Sequence, residues 1–166
     1  LSLDPYMRGR MNDAKSYAQP QKLGAPMIGG TVGEVVESKL EGFAPGDLVL
    51  GMGGWRLYSL ASRGSIRKLD PRALPEEAWL GPAGMPGVTA WVGLNTIVKP
   101  KAGETVVVTA ATGAVGTVAG QLARRMGARV VGVAGGSEKC RYAVESLGFD
   151  ACVDHRAGDF APQFKA

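Results

Sequence analysis

The run Ala111-Thr112-Gly113-Ala114-Val115-Gly116 carries the AxGxxG spacing with which a backbone cradles a diphosphate. At Gly113 the missing Cβ would let a pyrophosphate approach the chain. At Gly116 it would let a helix pack closely on the preceding strand, a bare face that Gly120 extends. Ala111 stands where the first glycine is usual, so its backbone must take an ordinary conformation. The turn alone is also consistent with a tight strand–helix connection that binds nothing. Its flanking strand and helix favour a nucleotide, whose diphosphate would meet the free N–H groups of the helix N-terminus. A second patch decides which nucleotide. A site for an unphosphorylated ribose places Asp or Glu at the end of the second strand. Here that end reads Ala134-Gly135-Gly136-Ser137, Glu138 faces out from the first helical turn, and Lys139 suits a 2′-phosphate. A solvated helix residue is the plainer reading of Lys139; the missing acid and the present cation together favour NADPH. Metal chemistry is not expected: Cys140, Cys152 and His155 supply too few ligands for zinc. No GxSxG nucleophile turn is present either.

Those residues need strands and helices to hold them. Thr105–Val108 is a short β-rich run ahead of the turn, and behind it Val115, Val118, Ala119, Leu122 and Met126 share one helical face. Gly127 stops that helix, and Arg129–Ala134 reads as a buried strand. Ser137 is a suitable N-cap for a second helix reaching Leu147, with Cys140, Ala143, Val144 and Leu147 on one face and Gly148 as its stop. Ala151–Val153 is a third strand. The order βαβαβ is half of a doubly wound parallel sheet.

The texture of the chain changes near Pro75. Leu1–Leu3 reads as the tail of a strand leaving through the turn Asp4-Pro5, and residues 11–26 read as a loop. Thr31–Val36, Asp47–Leu50, Gly54–Ala61 and Ser65–Leu69 are strand candidates divided by glycine and proline turns, as in a small barrel or irregular sheet. Glu76–Leu80 reads as a short helix behind Pro75, and Val88–Ile97 as a helix ended by Pro100.

Composition narrows the function classes. Residues 1–100 hold 11 basic and 9 acidic groups and residues 101–166 hold 8 and 6, so no basic arm points to nucleic acid. No apolar run approaches the roughly 20 residues of a membrane span. Two cysteines without a CxxC favour a reducing, cytoplasmic setting. Both ends look cut, with Lys165-Ala166 falling inside a helix, so the chain is expected to be a fragment.

Several longer motifs stand in a familiar order: LSLDPYMRGRM (1–11), GGTVGEVVES (29–38), GDLVLG (46–51), GMPGVTAWVGL (84–94), AATGAVG (110–116) and VVGVAGGSEKCRYAVESLGFDACVDHR (130–156). In these the chain resembles the zinc-independent medium-chain dehydrogenase/reductases, in their NADPH-dependent alkenal, prostaglandin and curcumin reductase branch, and is most similar to bacterial curcumin-reductase-like members. The resemblance implies an α/β plus β fold: a partial GroES-like catalytic domain over 1–90, then the first βαβαβ half of a Rossmann domain over 91–166. It implies that Thr112, Gly113, Ala114, Val115 and Gly116 line the diphosphate, and that Gly135 and Lys139 hold the adenosine ribose and its 2′-phosphate. His155 stands where relatives often carry Tyr, near the same phosphate, where a protonated imidazole would help hold a dianion; a surface loop residue is the equal alternative. Met85 and Thr89 match residues near the nicotinamide, and Tyr6 matches one at the substrate pocket.

The activity implied is hydride addition from NADPH to the β-carbon of an α,β-unsaturated ketone or aldehyde, with hydrogen-bond donors stabilising the enolate oxygen. No catalytic residue is assigned, because the family's donor tyrosine lies in a half not represented here. A homodimer is implied for a full-length protein. The alternatives are a quinone reductase of the same superfamily, or a non-catalytic NADPH-binding protein. The isolated chain is expected to bind NADPH weakly without turnover.

Overall fold

The computed structural model describes residues 1–158 and 160–163. The helical segment expected at Lys165-Ala166 lies outside them. The chain divides into two compact units, Leu1–Leu80 and Gly81–Ala166, where the expected boundary stood at residue 90.

The first unit opens with helix α1 (Tyr6–Arg10), started by Pro5, whose fixed φ suits a helix entry. Met7 is buried beneath Gly29, where a Cβ would stand 2.8 Å from its Cε. Leu1–Leu3 is not a strand; it is tied by the Ser2 N–H to the Gly30 carbonyl (2.8 Å) and by the Trp55 indole N–H to the Ser2 carbonyl (3.0 Å). Strands β1 (Thr31–Glu34), β2 (Leu48–Gly51) and β3 (Ile66–Lys68) form an antiparallel sheet in that order, with Thr31 opposite Gly51 and Leu50 opposite Arg67. The expected strand at 54–61 does not form. Gly54 turns the chain at φ +75°, and Leu57, Tyr58 and Leu60 project into solvent. Strand-forming residues need a partner, and this stretch has no ladder among the described residues. A 3₁₀ turn, Glu76–Trp79, stands where a short helix was expected.

The second unit begins with α2 (Met85–Val92), which starts three residues before the periodicity suggested because Pro86 suits its first turn. It continues as a π-helical turn, Gly93–Val98, that ends at Lys99 with φ +52°. Pro100 disfavours right-handed helix in the residue before it, which fits that ending. Strands β4 (Thr105–Thr109), β5 (Arg129–Ala134) and β6 (Ala151–Asp154) form a parallel sheet in sequential order. Thr105 stands beside Arg129 and Gly132 beside Cys152. Helix α3 (Ala114–Arg125) joins β4 to β5, α4 (Ser137–Glu145) joins β5 to β6, and α5 (Phe160–Gln163) is the last described element.

The core lies between this sheet and its helices, around Val108, Ala111, Ala123, Val130, Ala143 and Phe149. Helix α3 faces it through Gly116, Gly120 and Ala123, with Ala119, Leu122 and Met126 of the expected face packed against it, while Val115 is exposed. A Cβ on Gly120 would enter the Phe149 ring, so only glycine lets the helix approach this closely. Val144 is likewise exposed on α4, where Ala143 carries the burial. Among the described residues, no helix is long and apolar enough to cross a membrane.

Candidate functional site

Parallel strands release their loops at one edge, where α/β folds bind ligands. At that edge a cavity of about 420 Å³ lies at the ends of β4 and β5 and beyond the end of β6. Five of the sequence-predicted residues line it: Thr112, Gly113, Gly135, Lys139 and His155. Ala114 and Val115 belong to the exposed first turn of α3 without lining the cavity, and Gly116 is buried under that turn. Met85 and Thr89 stand one turn apart on α2, where the Thr89 hydroxyl donates to the Met85 carbonyl (2.7 Å); neither lines the cavity. Tyr6 belongs to the first unit, half-buried, with the Arg10 guanidinium 5.7 Å from its ring centre. Burial, and then the nearby Asp4 carboxylate, push its phenol above the usual tyrosine value.

The glycine turn is built by hydrogen bonds to the strands. The Ala111 N–H donates to the Val133 carbonyl (3.1 Å), and the Gly113 N–H to the Ala110 carbonyl (2.8 Å). Ala111 keeps a negative φ, as expected of a non-glycine there; Ala110, not noticed in the sequence, takes φ +49° and lines the cavity. A left-handed alanine is strained, and such strain gathers at sites where structure is over-determined. Gly113 is extended at the N-cap of α3 and offers no side-chain cap, so the first-turn N–H groups keep no intrahelical acceptor.

The opposite wall carries the charge. Gly136, at φ +103°, is the N-cap of α4; Ser137 is its first helical residue and makes no capping bond, which corrects its expected role. The reason is Asp154 at the end of β6. Its Oδ1 accepts from the Gly136 N–H (2.8 Å) and the Arg156 N–H (2.9 Å). Those bonds hold its carboxyl below the usual carboxylate range. The His155 N–H donates to the Ala134 carbonyl (3.0 Å). Together these bonds fasten the loop after β6 to the end of β5.

His155 and Arg156 then close over Gly135. A Cβ there would stand 2.9 Å from both His155 Nε2 and Arg156 Nε. Arg156 is the charged lining residue that the sequence reading missed; its signal was a second basic side chain directly after His155. Neither Lys139 nor Arg156 ion-pairs with a carboxylate among the described residues. The wall thus offers two cations without a direct ion pair and an imidazole, with the nearby Asp154 engaged by backbone and attracted by the Arg156 charge. An adenosine bearing a 2′-phosphate fits this donor set, and the uncapped α3 N-terminus fits a diphosphate.

Zinc does not fit. Among the described residues no three His, Cys, Asp or Glu side chains cluster as metal ligands. Burial pushes the Cys152 thiol up to about 12, with its hydrogen bond to Cys140 adding to the shift.

Comparison with known proteins agrees with this layout. The family model described as N-terminal domain of oxidoreductase matches residues 1–69, and that described as zinc-binding dehydrogenase matches 114–166. The chain is 55% identical over 163 residues to the NADPH-dependent curcumin reductase of Escherichia coli, covering 98% of this chain and 47% of that protein. It is 42% identical over 158 residues to the NADP(+)-dependent 2-alkenal reductase of Nicotiana tabacum, covering 94% of this chain and 46% of that one. Among solved structures, CurA from Vibrio vulnificus in complex with NADPH superposes with a TM-score of 0.91 at 50% identity, over 98% of this chain and 48% of that chain. The chain spans about half the length of the curated relatives it matches.

Proposed function

Because this chain belongs to the medium-chain dehydrogenase/reductases, in the branch of the curcumin, alkenal and prostaglandin reductases, we propose that its cavity binds NADPH and that the whole protein reduces carbon–carbon double bonds conjugated to a ketone or aldehyde. NADPH, when bound, supplies the hydride. The chain's own residues bind and orient: the glycine turn and the α3 N-terminus take the diphosphate, and Lys139 with His155 takes the 2′-phosphate over Gly135. On the same reading Met85 and Thr89 sit near the nicotinamide, and Tyr6 contacts the substrate. A homodimer of the full-length protein belongs to this proposal on the resemblance, and a cytoplasmic setting on the two cysteines without a CxxC.

The observation that carries the reading is the charged wall of the cavity: Lys139 and Arg156 without a direct ion pair, and Asp154 with an oxygen occupied by backbone bonds. A ribose diol gains little from such a wall, whereas a phosphate dianion gains charge-assisted hydrogen bonds. The test has two arms. Calorimetric titration should show NADPH binding at least about tenfold tighter than NADH, the equivalent of one charge-assisted bond. In the whole protein, NADPH should be consumed only when an α,β-unsaturated ketone or aldehyde is added. Turnover of saturated ketones alone would sink the reading, and preference for a simple quinone would move the protein to the quinone reductases.

A further inference from the structure

The geometry points to Arg156 as a determinant of discrimination between 2′-phosphorylated and unphosphorylated adenosine, with Asp154 as its positioning residue. This rests on the NADPH reading above and assigns roles which that reading leaves open.

Arg156 stands where a specificity residue should. Its Nε lies 2.9 Å from the position a Cβ on Gly135 would take, and its Cζ 3.3 Å from it. The guanidinium stem therefore rests on bare backbone at the end of β5, next to His155 and on the same cavity wall as Lys139. No described carboxylate makes a direct ion pair with it, although it lies within the electrostatic reach of Asp154. A planar, permanently charged group with several donors is suited to grip phosphate oxygens. Lys139, on a long flexible stem, supplies a point charge; Arg156 supplies direction.

Direction requires that its backbone be fixed, and Asp154 fixes it. One carboxylate oxygen accepts from Arg156 and from Gly136, two residues held on different loops. Gly136 precedes the helix that carries Lys139, so the same oxygen sets both sides of the phosphate position. The negative charge of Asp154 itself works against a bound anion. Its contribution is therefore the bonds it accepts, and that separates the effect of geometry from the effect of charge.

The probes are 2′,5′-ADP and 5′-AMP, titrated calorimetrically into the 166-residue chain. The unsubstituted chain should favour 2′,5′-ADP; absence of any preference overturns both the NADPH reading and this assignment. Arg156→Gln should weaken 2′,5′-ADP by about 10- to 100-fold and leave 5′-AMP within about twofold. Equal weakening of both ligands would place the guanidinium against the adenine, and no change would remove it from the site. Either result overturns the assignment while the NADPH reading stands. Asp154→Asn keeps an acceptor oxygen and loses the charge, so 2′,5′-ADP affinity should hold or rise. Asp154→Ala loses the acceptor and should cost discrimination as Arg156→Gln does, with 5′-AMP again the control for folding. If Asp154→Asn and Asp154→Ala weaken 2′,5′-ADP alike, or if neither does, Asp154 is not the positioning residue.

Discussion

Ala110 holds a backbone conformation that its side chain disfavours, at the point where β4 hands the chain to the glycine turn. Glycine would adopt φ +49° without that penalty. Ala110→Gly is therefore expected to raise stability by up to about 1 kcal/mol in urea denaturation; a loss of more than that would mean the methyl group packs usefully. Nothing in the sequence marks Ala110, since alanine carries no signal for a left-handed turn. Gly113 and Gly116 were legible because the absence of a side chain is itself the signal. Cys152 makes a second prediction. With its thiol raised to about 12, it carries on the order of a thousandfold less thiolate near pH 8 than an ordinary cysteine. Iodoacetamide labelling mapped by mass spectrometry should find Cys152 slow in native protein and fast in urea. Equal rates would show that the thiol is not buried as described.

At the scale of elements, one glycine of α3 and one of the π turn after α2 separate packing from propensity. Gly120→Ala would drive a methyl into the Phe149 ring and is expected to cost about 2–3 kcal/mol or more. Gly93→Ala meets nothing within 4 Å and should stabilise by up to about 1 kcal/mol. Denaturation of the pair reads the difference, and similar effects would dismiss the close helix approach. Asp154 ties two loops and adds a pH effect of definite sign. Its native value lies below the ordinary aspartate value near 4, so its bonds contribute fully above about pH 4. That contribution disappears as pH falls through the native value. Asp154→Asn should therefore flatten the acid limb of the stability curve, and an unchanged limb would argue against the tie. Most of the second unit was legible: Arg129–Ala134 forms as read, because a β-branched run between a glycine stop and a glycine pair has few alternatives. The strand read at 54–61 failed because composition reports propensity and not the presence of a pairing partner. Ser137 was misread as a cap because the acceptor that organises that turn comes from a residue 18 positions away in the chain.

At the scale of the whole molecule, each unit carries its own sheet, antiparallel in the first and parallel in the second. That division followed from the change in texture along the chain, from short strands between turns to alternating strands and helices. The cavity wall was only partly legible, since Arg156 reaches it by folding over Gly135 and spacing cannot show that. The tie made by Asp154 has one further consequence, in the kinetics of encounter. Loops already fastened need no rearrangement to receive a phosphate, so association should be governed by attraction at a distance. The chain carries a net charge of +4, and two of its cations, Lys139 and Arg156, stand at one mouth. Stopped-flow mixing with NADPH should show an association rate that falls steeply as salt rises over the range where the screening length shrinks from about 30 to about 10 Å. A salt-independent association rate would mean that a slow internal motion, and not the field of the charged wall, decides how quickly the cofactor is caught.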